Sequence, residues 1–415
     1  MRILVLVLLL CLSFYVSTPS SLAEAPKSKK AQSFLSVPVF FVTDRKLEGN
    51  SFTGERKYAA DCKHDPYMGK LNFVIASPEK VELSSEQKEL GLAIADKTKE
   101  PISNLQILNN GLEYTEAKEK FLDAVATECT KPGQNGELVV FVHGYNTPFA
   151  GAIRHGAEFS RCFGRPAIVY SWPSVSKLRT YTSDEANNEW SQEHFNQFLD
   201  DLGELHKRNP AIKVILVAHS LGSRLIVRAA PILKENEMLK DVALVCPDID
   251  YETVRHYLQR YATGKGKFNV WLYTSTRDNA LAFSQIMHGG YFRLGECGNS
   301  IVELFPGLKP AEASTHVSDA DKQRVETVKA GLAKRMHTID FTELDSGLLG
   351  HKIPHELIEQ MCQTGAPGPG LSMVETDAGE TSKLGKMLFK SHGKESFPAE
   401  RGRCNKVVRN EQKTQ

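Results

Sequence analysis

A run of five apolar residues, 214–218, leads directly into a serine and then into a helix-forming segment. Its β-branched composition predicts a strand buried on both faces. Ser220 and Gly222 follow, and the apolar spacing from Arg224 to Ala230 favours a helix. A serine at such a turn projects its hydroxyl beyond the sheet, and the first turn of the helix supplies backbone N–H groups. This is the local geometry that a serine nucleophile requires.

The turn reads Ala218-His-Ser-Leu-Gly222, so alanine stands where the usual G-x-S-x-G pattern has its first glycine. Alanine is small enough for a crowded turn, and the departure counts only weakly against a nucleophile. His219 is expected to point away from the turn and to be structural.

Short apolar runs alternate with helix-length segments through most of the chain. Further strands are predicted at residues 37–42, 71–76, 138–142, 167–170, 242–246, 268–273 and 338–341. Helices are predicted at residues 116–128, 149–162, 186–207, 251–261, 280–287 and 354–363. Strands separated by helices imply an α/β fold, with a mostly parallel central sheet flanked by helices on both faces.

The two ends of the chain differ from this core. Residues 1–23 contain one basic residue, an apolar run and small residues near the end, which predicts a secretory signal peptide. Residues 24–36 are predicted to be a linker, residues 37–363 one α/β domain, and residues 364–415 a disordered tail. We therefore expect a secreted or periplasmic protein with no stable membrane span after signal cleavage, and an uncleaved anchor is the alternative.

The charge balance excludes one class of partner. The chain carries 51 basic and 50 acidic residues, and loss of Arg2 with the signal leaves 50 of each. A balanced chain without a dense basic run is not expected to bind nucleic acid.

Seven of the eight cysteines lie beyond the signal peptide. In an exported protein several of them can pair, whereas Cys246, in a predicted buried strand, is expected to stay unpaired. The sequence leaves the pairing of the other six open; they are Cys62, Cys129, Cys162, Cys297, Cys362 and Cys404. No Cys/His cluster has the spacing of a zinc site, so no metal is predicted.

A second polar turn, His143-Gly-Tyr-Asn146, follows the predicted strand at 138–142. Its glycine would let the backbone approach a reacting carbonyl, and the Tyr145 N–H can donate to an oxyanion. The Leu221 N–H, directly after the nucleophile, would be the second donor. Each such donor typically stabilises a transition state by about 3 kcal/mol. The alternative is a tight strand-to-helix turn without chemical meaning.

A serine nucleophile also needs a base and an acid that orients it. Asp278 follows the predicted strand at 268–273 and can hold a histidine in one tautomer, although an aspartate there also suits a helix N-cap. Asp248 and Asp250, one strand earlier, are the alternative acids. His351, in a glycine-flanked loop after the last predicted strand of the domain, is the candidate base.

The order Ser220, Asp278, His351 and the His143-Gly144 turn resemble the α/β-hydrolase superfamily. Five motifs in sequence order narrow the resemblance to a bacterial branch classed as a domain of unknown function. They are Val39-Phe-Phe-Val-Thr-Asp-Arg45, Phe141-Val-His-Gly-Tyr-Asn146, Tyr170-Ser-Trp-Pro173, Ala218-His-Ser-Leu-Gly222 and Pro247-Asp-Ile-Asp250. The resemblance covers residues 37–362 and implies an α/β-hydrolase fold, an esterase- or lipase-like activity and no cofactor.

We therefore expect a serine hydrolase that cleaves a carboxylic ester or thioester through an acyl-enzyme on Ser220. Its substrate would be a small or lipid-like ester, and the sequence leaves the substrate's identity and the oligomeric state open. An acyltransferase with the same triad and a catalytically silent binding protein of the cell envelope are the alternatives. The Thr43-Asp-Arg45 segment and the Trp172-Pro173 turn have no chemical role that the sequence reveals.

Overall fold

A computed structural model describes residues 34–49, 51–57, 65–76, 103–108, 112–175, 180–233, 235–254, 257, 268–296, 335–344, 350–362, 371–377 and 403–409. The predicted signal peptide and most of the helix predicted at residues 251–261 lie outside these ranges. Within the described ranges, no helix combines the length and the apolar character that a membrane crossing needs.

One large sheet forms the centre of the protein. The strands of the described residues, numbered in chain order, are β1 Phe34–Thr43, β2 Arg45–Glu48, β3 Ser51–Arg56, β4 Tyr67–Ala76, β5 Ser103–Ile107, β6 Glu137–Val142, β7 Ala167–Ser171, β8 Lys213–His219, β9 Leu239–Val245, β10 Asn269–Thr274, β11 Met336–Asp340, β12 Leu371–Asp377 and β13 Arg403–Arg409. Eleven of them form a sheet in the order β12-β13-β11-β10-β9-β8-β6-β7-β1-β4-β5, and β2 pairs with β3 in a hairpin. All pairings from β13 to β1 are parallel, which confirms the predicted mostly parallel sheet.

The central strands are buried on both faces. Along β6, Leu138, Val140 and Val142 pack into one apolar cluster, whereas Val139 and Phe141 pack into another. Successive side chains of a strand point to opposite faces, so the two clusters lie on opposite sides of the sheet. This double burial explains why these strands read as continuous apolar runs.

Helices pack against the sheet and contribute apolar residues to both clusters. Those described are α1 Tyr114–Cys129, α2 Phe149–Phe163, α3 Tyr181–Trp190, α4 Gln192–Arg208, α5 Ser223–Arg228, α6 Ala230–Leu233, α7 Asn279–Met287 and α8 His355–Cys362. Apolar residues of α1, α4 and α5 belong to the first cluster, and those of α2, α7 and α8 belong to the second. The single helix predicted at residues 186–207 is instead the pair α3 and α4, which meet at Ser191.

The chain reverses its direction of winding at β6. The next strand, β7, lies on one side of β6, and β8 lies on the other. In open α/β sheets, ligands bind beyond the carboxyl ends of the strands at such a switch point. The turns that begin with His143 and Ser220 leave the sheet at this place.

Strands extend beyond the predicted domain of residues 37–363 at both ends. In the predicted disordered tail, β12 and β13 pair antiparallel, with Leu371 opposite Arg409, and β13 joins the sheet beside β11. Pairing at an open sheet edge supplies backbone hydrogen bonds that these short segments cannot obtain alone. At the other end, β1 begins at Phe34, inside the predicted linker of residues 24–36.

Four cysteines of the described part of the chain form no disulfide, and they are Cys129, Cys162, Cys246 and Cys362. Cys246, which the sequence predicts to stay out of a disulfide, is one of these four. The thiols of Cys162 and Cys362, at the carboxyl ends of α2 and α8, lie within hydrogen-bonding distance of each other. Cys62 and Cys297 lie outside the described residues.

Candidate active site

Ser220 lies in a strained turn between β8 and α5. Its φ of +52° falls in the left-handed region, which residues other than glycine seldom occupy. A single 3₁₀ turn, Ser220–Gly222, connects the strand to the helix. The N–H of Asp248 donates to the Ser220 carbonyl at 3.1 Å and stabilises the turn. A strained serine between a strand and a helix is the geometry of a nucleophile elbow.

Two glycines allow the turns after β6 and β8 to touch. A Cβ added at Gly222 would lie 2.3 Å from the carbonyl oxygen of His143, and one added at Gly144 would lie 2.8 Å from the Cβ of Ser220. A larger residue at Gly222 would require the backbone to move. Ala218, by contrast, lies within β8 and packs its methyl group in the first apolar cluster. The crowding is therefore at Gly144 and Gly222, and an alanine at position 218 is accommodated.

His351 and Asp278 extend Ser220 into a hydrogen-bonded chain. His351 Nε2 lies 2.7 Å from Ser220 Oγ, and His351 Nδ1 lies 2.6 Å from Asp278 Oδ2. A carboxylate only accepts, so Nδ1 carries the proton and Nε2 accepts from the serine hydroxyl. The structure thus brings together the three residues that the sequence nominated as nucleophile, base and acid.

Asp278 uses its two oxygens for different purposes. Oδ2 meets His351, and Oδ1 accepts a hydrogen bond from the Leu281 N–H at 2.9 Å as the N-cap of α7. The helix-capping and histidine-orienting interpretations of this residue are therefore compatible. The cap also fixes the carboxylate that faces the imidazole.

His219 holds the loop that carries His351. Its Nε2–H donates to the His351 carbonyl at 3.0 Å, and the two rings lie 4.9 Å apart. Burial, and then the proximity of His351, lowers the pKa of His219 well below its usual value, so this ring stays neutral. This hydrogen bond joins the end of β8 to the loop that carries the candidate base.

Asp248, the first alternative acid, lies in a buried polar cluster. Its carboxylate accepts hydrogen bonds from Ser284 Oγ at 2.6 Å and from the Tyr181 hydroxyl, and it lies 3.3 Å from Arg293 Nε. Burial alone would raise the pKa of Asp248, but Arg224 and Arg293 outweigh it and lower that pKa. Its charge is therefore already matched by two guanidinium groups.

Asp250, the second alternative acid, makes a local cap. Its Oδ1 accepts from the Thr253 N–H at 2.8 Å. The carboxylate that meets the Nδ1 of His351 is Asp278.

The predicted oxyanion donors lie on the two touching turns. Leu221 follows Ser220 within the 3₁₀ turn, and Tyr145 follows Gly144, which lies against Ser220. The Tyr145 loop, residues 143–147, is also fixed towards its far end, because the Asn146 N–H donates to Asp184 Oδ2 at 3.3 Å. Both candidate N–H groups therefore belong to backbone that adjoins the nucleophile.

Sequence reasoning missed the residues beneath the Tyr145 loop. Trp172 Nε1 donates to the His143 carbonyl at 2.8 Å, and the two rings stack with their centroids 4.8 Å apart. The Arg45 guanidinium lies 3.1 Å from His143 Nε2 and donates to the Thr147 carbonyl at 2.8 Å. Both residues belong to motifs for which the sequence revealed no chemical role, the Thr43-Asp-Arg45 segment and the Trp172-Pro173 turn.

Glu296 is a further buried acid near this site. Burial raises its pKa to about 8, and the nearby carboxylates of Asp278 and Asp248 add to the rise. The Arg293 N–H donates to Glu296 Oε2 at 3.0 Å and offsets part of it. Nothing in the sequence marked this residue.

One group of side chains in the described ranges has the proximity of metal ligands. Potential ligand atoms of Cys246, Asp278 and His351 lie within 4.8 Å of one another. Asp278 and His351 already share a hydrogen bond of 2.6 Å, so a cation bound here would compete with that bond.

Comparison with known proteins places the chain in a family. Residues 116–356, more than half of the chain, match the family described as "Alpha/beta hydrolase of unknown function (DUF900)". No curated protein matches the chain. A solved hydrolase from Oleispira antarctica is similar at 11% identity over 57% of this chain and 84% of that one, with a TM-score of 0.20. On the family match, the chain belongs to the α/β hydrolases of unknown function.

Proposed function

We propose that this protein is a serine hydrolase that cleaves a carboxylic ester or thioester through an acyl-enzyme on Ser220. The observation that carries the proposal is the chain of hydrogen bonds from Ser220 Oγ through His351 to Asp278, at 2.7 and 2.6 Å. Membership of an α/β-hydrolase family supports a hydrolase-type function. The serine-based mechanism and the ester or thioester substrate are part of the proposal.

In the acylation step, His351 Nε2 takes the proton of Ser220 Oγ as the oxygen attacks the carbonyl carbon. The negative charge that develops on the carbonyl oxygen is received by the N–H groups of Leu221 and Tyr145. Asp278 stabilises the imidazolium and keeps its Nδ1–H in place. His351 then donates its Nε2 proton to the departing alkoxide or thiolate, which leaves the acyl group on Ser220.

In the deacylation step, a water molecule replaces the leaving group. His351 takes a proton from this water, whose oxygen attacks the acyl carbon, and the same two N–H groups bind the second oxyanion. The proton returns to Ser220 Oγ, and the carboxylic acid leaves. An acyltransferase would run the same steps with an alcohol, amine or thiol in place of water.

We also propose that the protein acts outside the cytoplasm, in the periplasm or the medium. The signal-like pattern of residues 1–23 supports this location. Fractionation of cells that produce the full chain tests it, and exclusive recovery of full-length protein with the cytosol would contradict it.

The direct test is labelling of the full chain with a fluorophosphonate, which reacts with activated serines. We expect labelling of the wild type and its loss in Ser220→Ala. Ser223→Ala is the matched control, because Ser223 is buried one residue beyond the same turn and should leave labelling intact. A folded wild type that does not label would favour a silent binding protein and contradict the proposal.

A series of p-nitrophenyl esters of increasing acyl length then defines the substrate class. Release of p-nitrophenol in water alone is expected for a hydrolase. Release that depends on an added alcohol or amine would point to acyl transfer instead.

A further inference from the structure

Two motifs without an assigned role meet beneath the Tyr145 loop. Arg45 is the last residue of the Thr-Asp-Arg segment and the first of β2, and only Asp44 separates it from β1. Its side chain is fully buried, at 0% exposure, and lies between β7 and the turn that follows β6. Trp172, the first residue after β7, packs on the same turn.

Every N–H of the Arg45 guanidinium has a partner. An arginine offers five such donors in a rigid fork. Their partners are Ser171 Oγ at 2.9 Å, the carbonyls of Thr53 at 3.2 Å, Ser174 at 3.1 Å and Thr147 at 2.8 Å, and His143 Nε2 at 3.1 Å. A lysine ammonium, with three donors on one atom, cannot reproduce this set.

Arg45 remains charged despite its burial. Desolvation lowers its pKa to about 10, and the carboxylates of Asp44 and Asp184 oppose that change. Asp184 in turn accepts hydrogen bonds from Ser174 Oγ at 2.6 Å and the Val175 N–H at 2.7 Å. The cation thus lies inside a network that is continuous with the Tyr145 loop.

The contact with Arg45 sets the tautomer of His143. A guanidinium only donates, so His143 Nε2 must accept. Burial, and then the charge of Arg45, lowers the pKa of His143 well below its usual value, so the ring is neutral. Its single proton is then on Nδ1, which donates to the Gly144 carbonyl at 2.8 Å. The 3.1 Å approach of Nε2 to the Trp172 carbonyl is a contact without a proton.

The Gly144 carbonyl and the Tyr145 N–H belong to one peptide unit. That unit is planar and trans, so the carbonyl and the N–H point in opposite directions. A hydrogen bond that holds the carbonyl therefore also aims the N–H. Arg45 holds the far end of the same loop through the Thr147 carbonyl.

We propose that Arg45 is the positioning residue of the oxyanion site: by donating to His143 it imposes the tautomer that orients the Gly144–Tyr145 peptide. The inference rests on the proposed function, because it concerns the donor that would bind the oxyanion. A merely structural Arg45 would contribute to stability and leave turnover by the folded protein unchanged.

The test compares Arg45→Lys with Arg56→Lys in the full chain. Arg56 lies on the adjacent strand β3, donates to Asn187 Oδ1 at 2.6 Å and packs over Trp190, so it is the matched control. For Arg45→Lys we expect kcat and the rate of fluorophosphonate labelling to fall together by about 10- to 100-fold. KM should stay within about twofold, and the pH profile should keep its shape, because the Ser220 to Asp278 chain is untouched. Arg56→Lys should match the wild type in all of these.

A measurement on the wild type keeps the proposal testable if Arg45→Lys does not fold. Nitrogen-15 NMR of the histidine rings, with His143→Gln to assign the signal, reports which ring nitrogen carries the proton. A neutral Nδ1–H ring at position 143 supports the proposal, and an Nε2–H or doubly protonated ring overturns it.

The outcomes separate this inference from the proposed function. A folded wild type that does not label overturns both. A wild type that labels, beside an Arg45→Lys variant with the same kcat and labelling rate, overturns only the role of Arg45. A fall in kcat accompanied by a shifted pH profile also overturns it, because the variant would then act through the base and not through the oxyanion donor.

Discussion

Asp278 and Asp248 are two buried carboxylates in equivalent positions. They follow the neighbouring parallel strands β10 and β9, and they are 3% and 2% exposed. Asp278 meets one imidazole and one helix N–H. Asp248 meets two guanidinium groups and two hydroxyls, which come from Arg224, Arg293, Tyr181 and Ser284.

The difference shows that partners, and not position after a strand, decide what a buried acid can do. A carboxylate facing a neutral imidazole can stabilise positive charge that appears there during a reaction. A carboxylate already paired with two arginines uses its charge to stabilise the folded state. The comparison therefore predicts opposite phenotypes for the same substitution.

The largest effect is expected for Asp278→Asn. An asparagine would favour the wrong tautomer of His351, and kcat is expected to fall about 10⁴-fold. Stability should change little, because asparagine is as good an N-cap as aspartate. Steady-state kinetics and thermal unfolding measure the two effects, and a variant with near-wild-type kcat would remove Asp278 from the mechanism.

Asp248→Asn is expected to reverse this pattern. It leaves the buried Arg293 and the partly buried Arg224 without their shared counter-charge, so the free energy of unfolding should fall by about 3 kcal/mol. The backbone N–H that supports Ser220 is retained, and turnover per folded molecule should fall far less than in Asp278→Asn. Urea denaturation checks the prediction, with Asp250→Asn as the control because asparagine can replace that local cap. Loss of turnover without loss of stability would make Asp248 the acid.

Glu296, close to both carboxylates, makes the free energy of unfolding depend on pH. Its folded-state pKa of about 8 exceeds the ordinary value of 4.5, so the folded protein binds more protons between these pH values than the unfolded chain does. The stabilising effect is complete below about pH 4.5 and is lost as the pH rises towards 8, by at most about 1.4 kcal/mol per pH unit. Glu296→Gln should remove this slope from unfolding curves measured between pH 5 and 8. An unchanged slope would assign the dependence to other groups.

The smallest effect is expected for Ser284→Ala. This substitution removes one hydroxyl donor from Asp248 and should lower the free energy of unfolding by about 1 kcal/mol. The two arginines stay in place, and kcat should not change. A large fall in kcat would show that the polar cluster around Asp248 and the Ser220 chain act as one unit.

Much of this fold could be predicted from local patterns. The strands leading to His143 and Ser220 are continuous apolar runs, and the helices beside them carry apolar residues at helical spacing. The edge strands β12 and β13 were missed because their pairing depends on an open sheet edge far away in the chain. The break at Ser191 was missed because the polar residues of α3 continue the pattern of α4 without a helix-breaking residue.

The sequence by itself determined the parallel sheet, the serine turn and the short set of acids and bases that could serve it. These features depend on hydrophobic periodicity and turn chemistry, which act between residues close in the chain. Only the tertiary structure decided that Asp278 faces His351, 73 residues away, and that Arg45 faces His143, 98 residues away. Such contacts follow from the order of strands in the sheet, which brings the ends of β1, β7 and β6 together and which no local pattern encodes. A hydrogen bond between distant residues exists only once that order is formed, so the partners of each buried charge are a property of the fold.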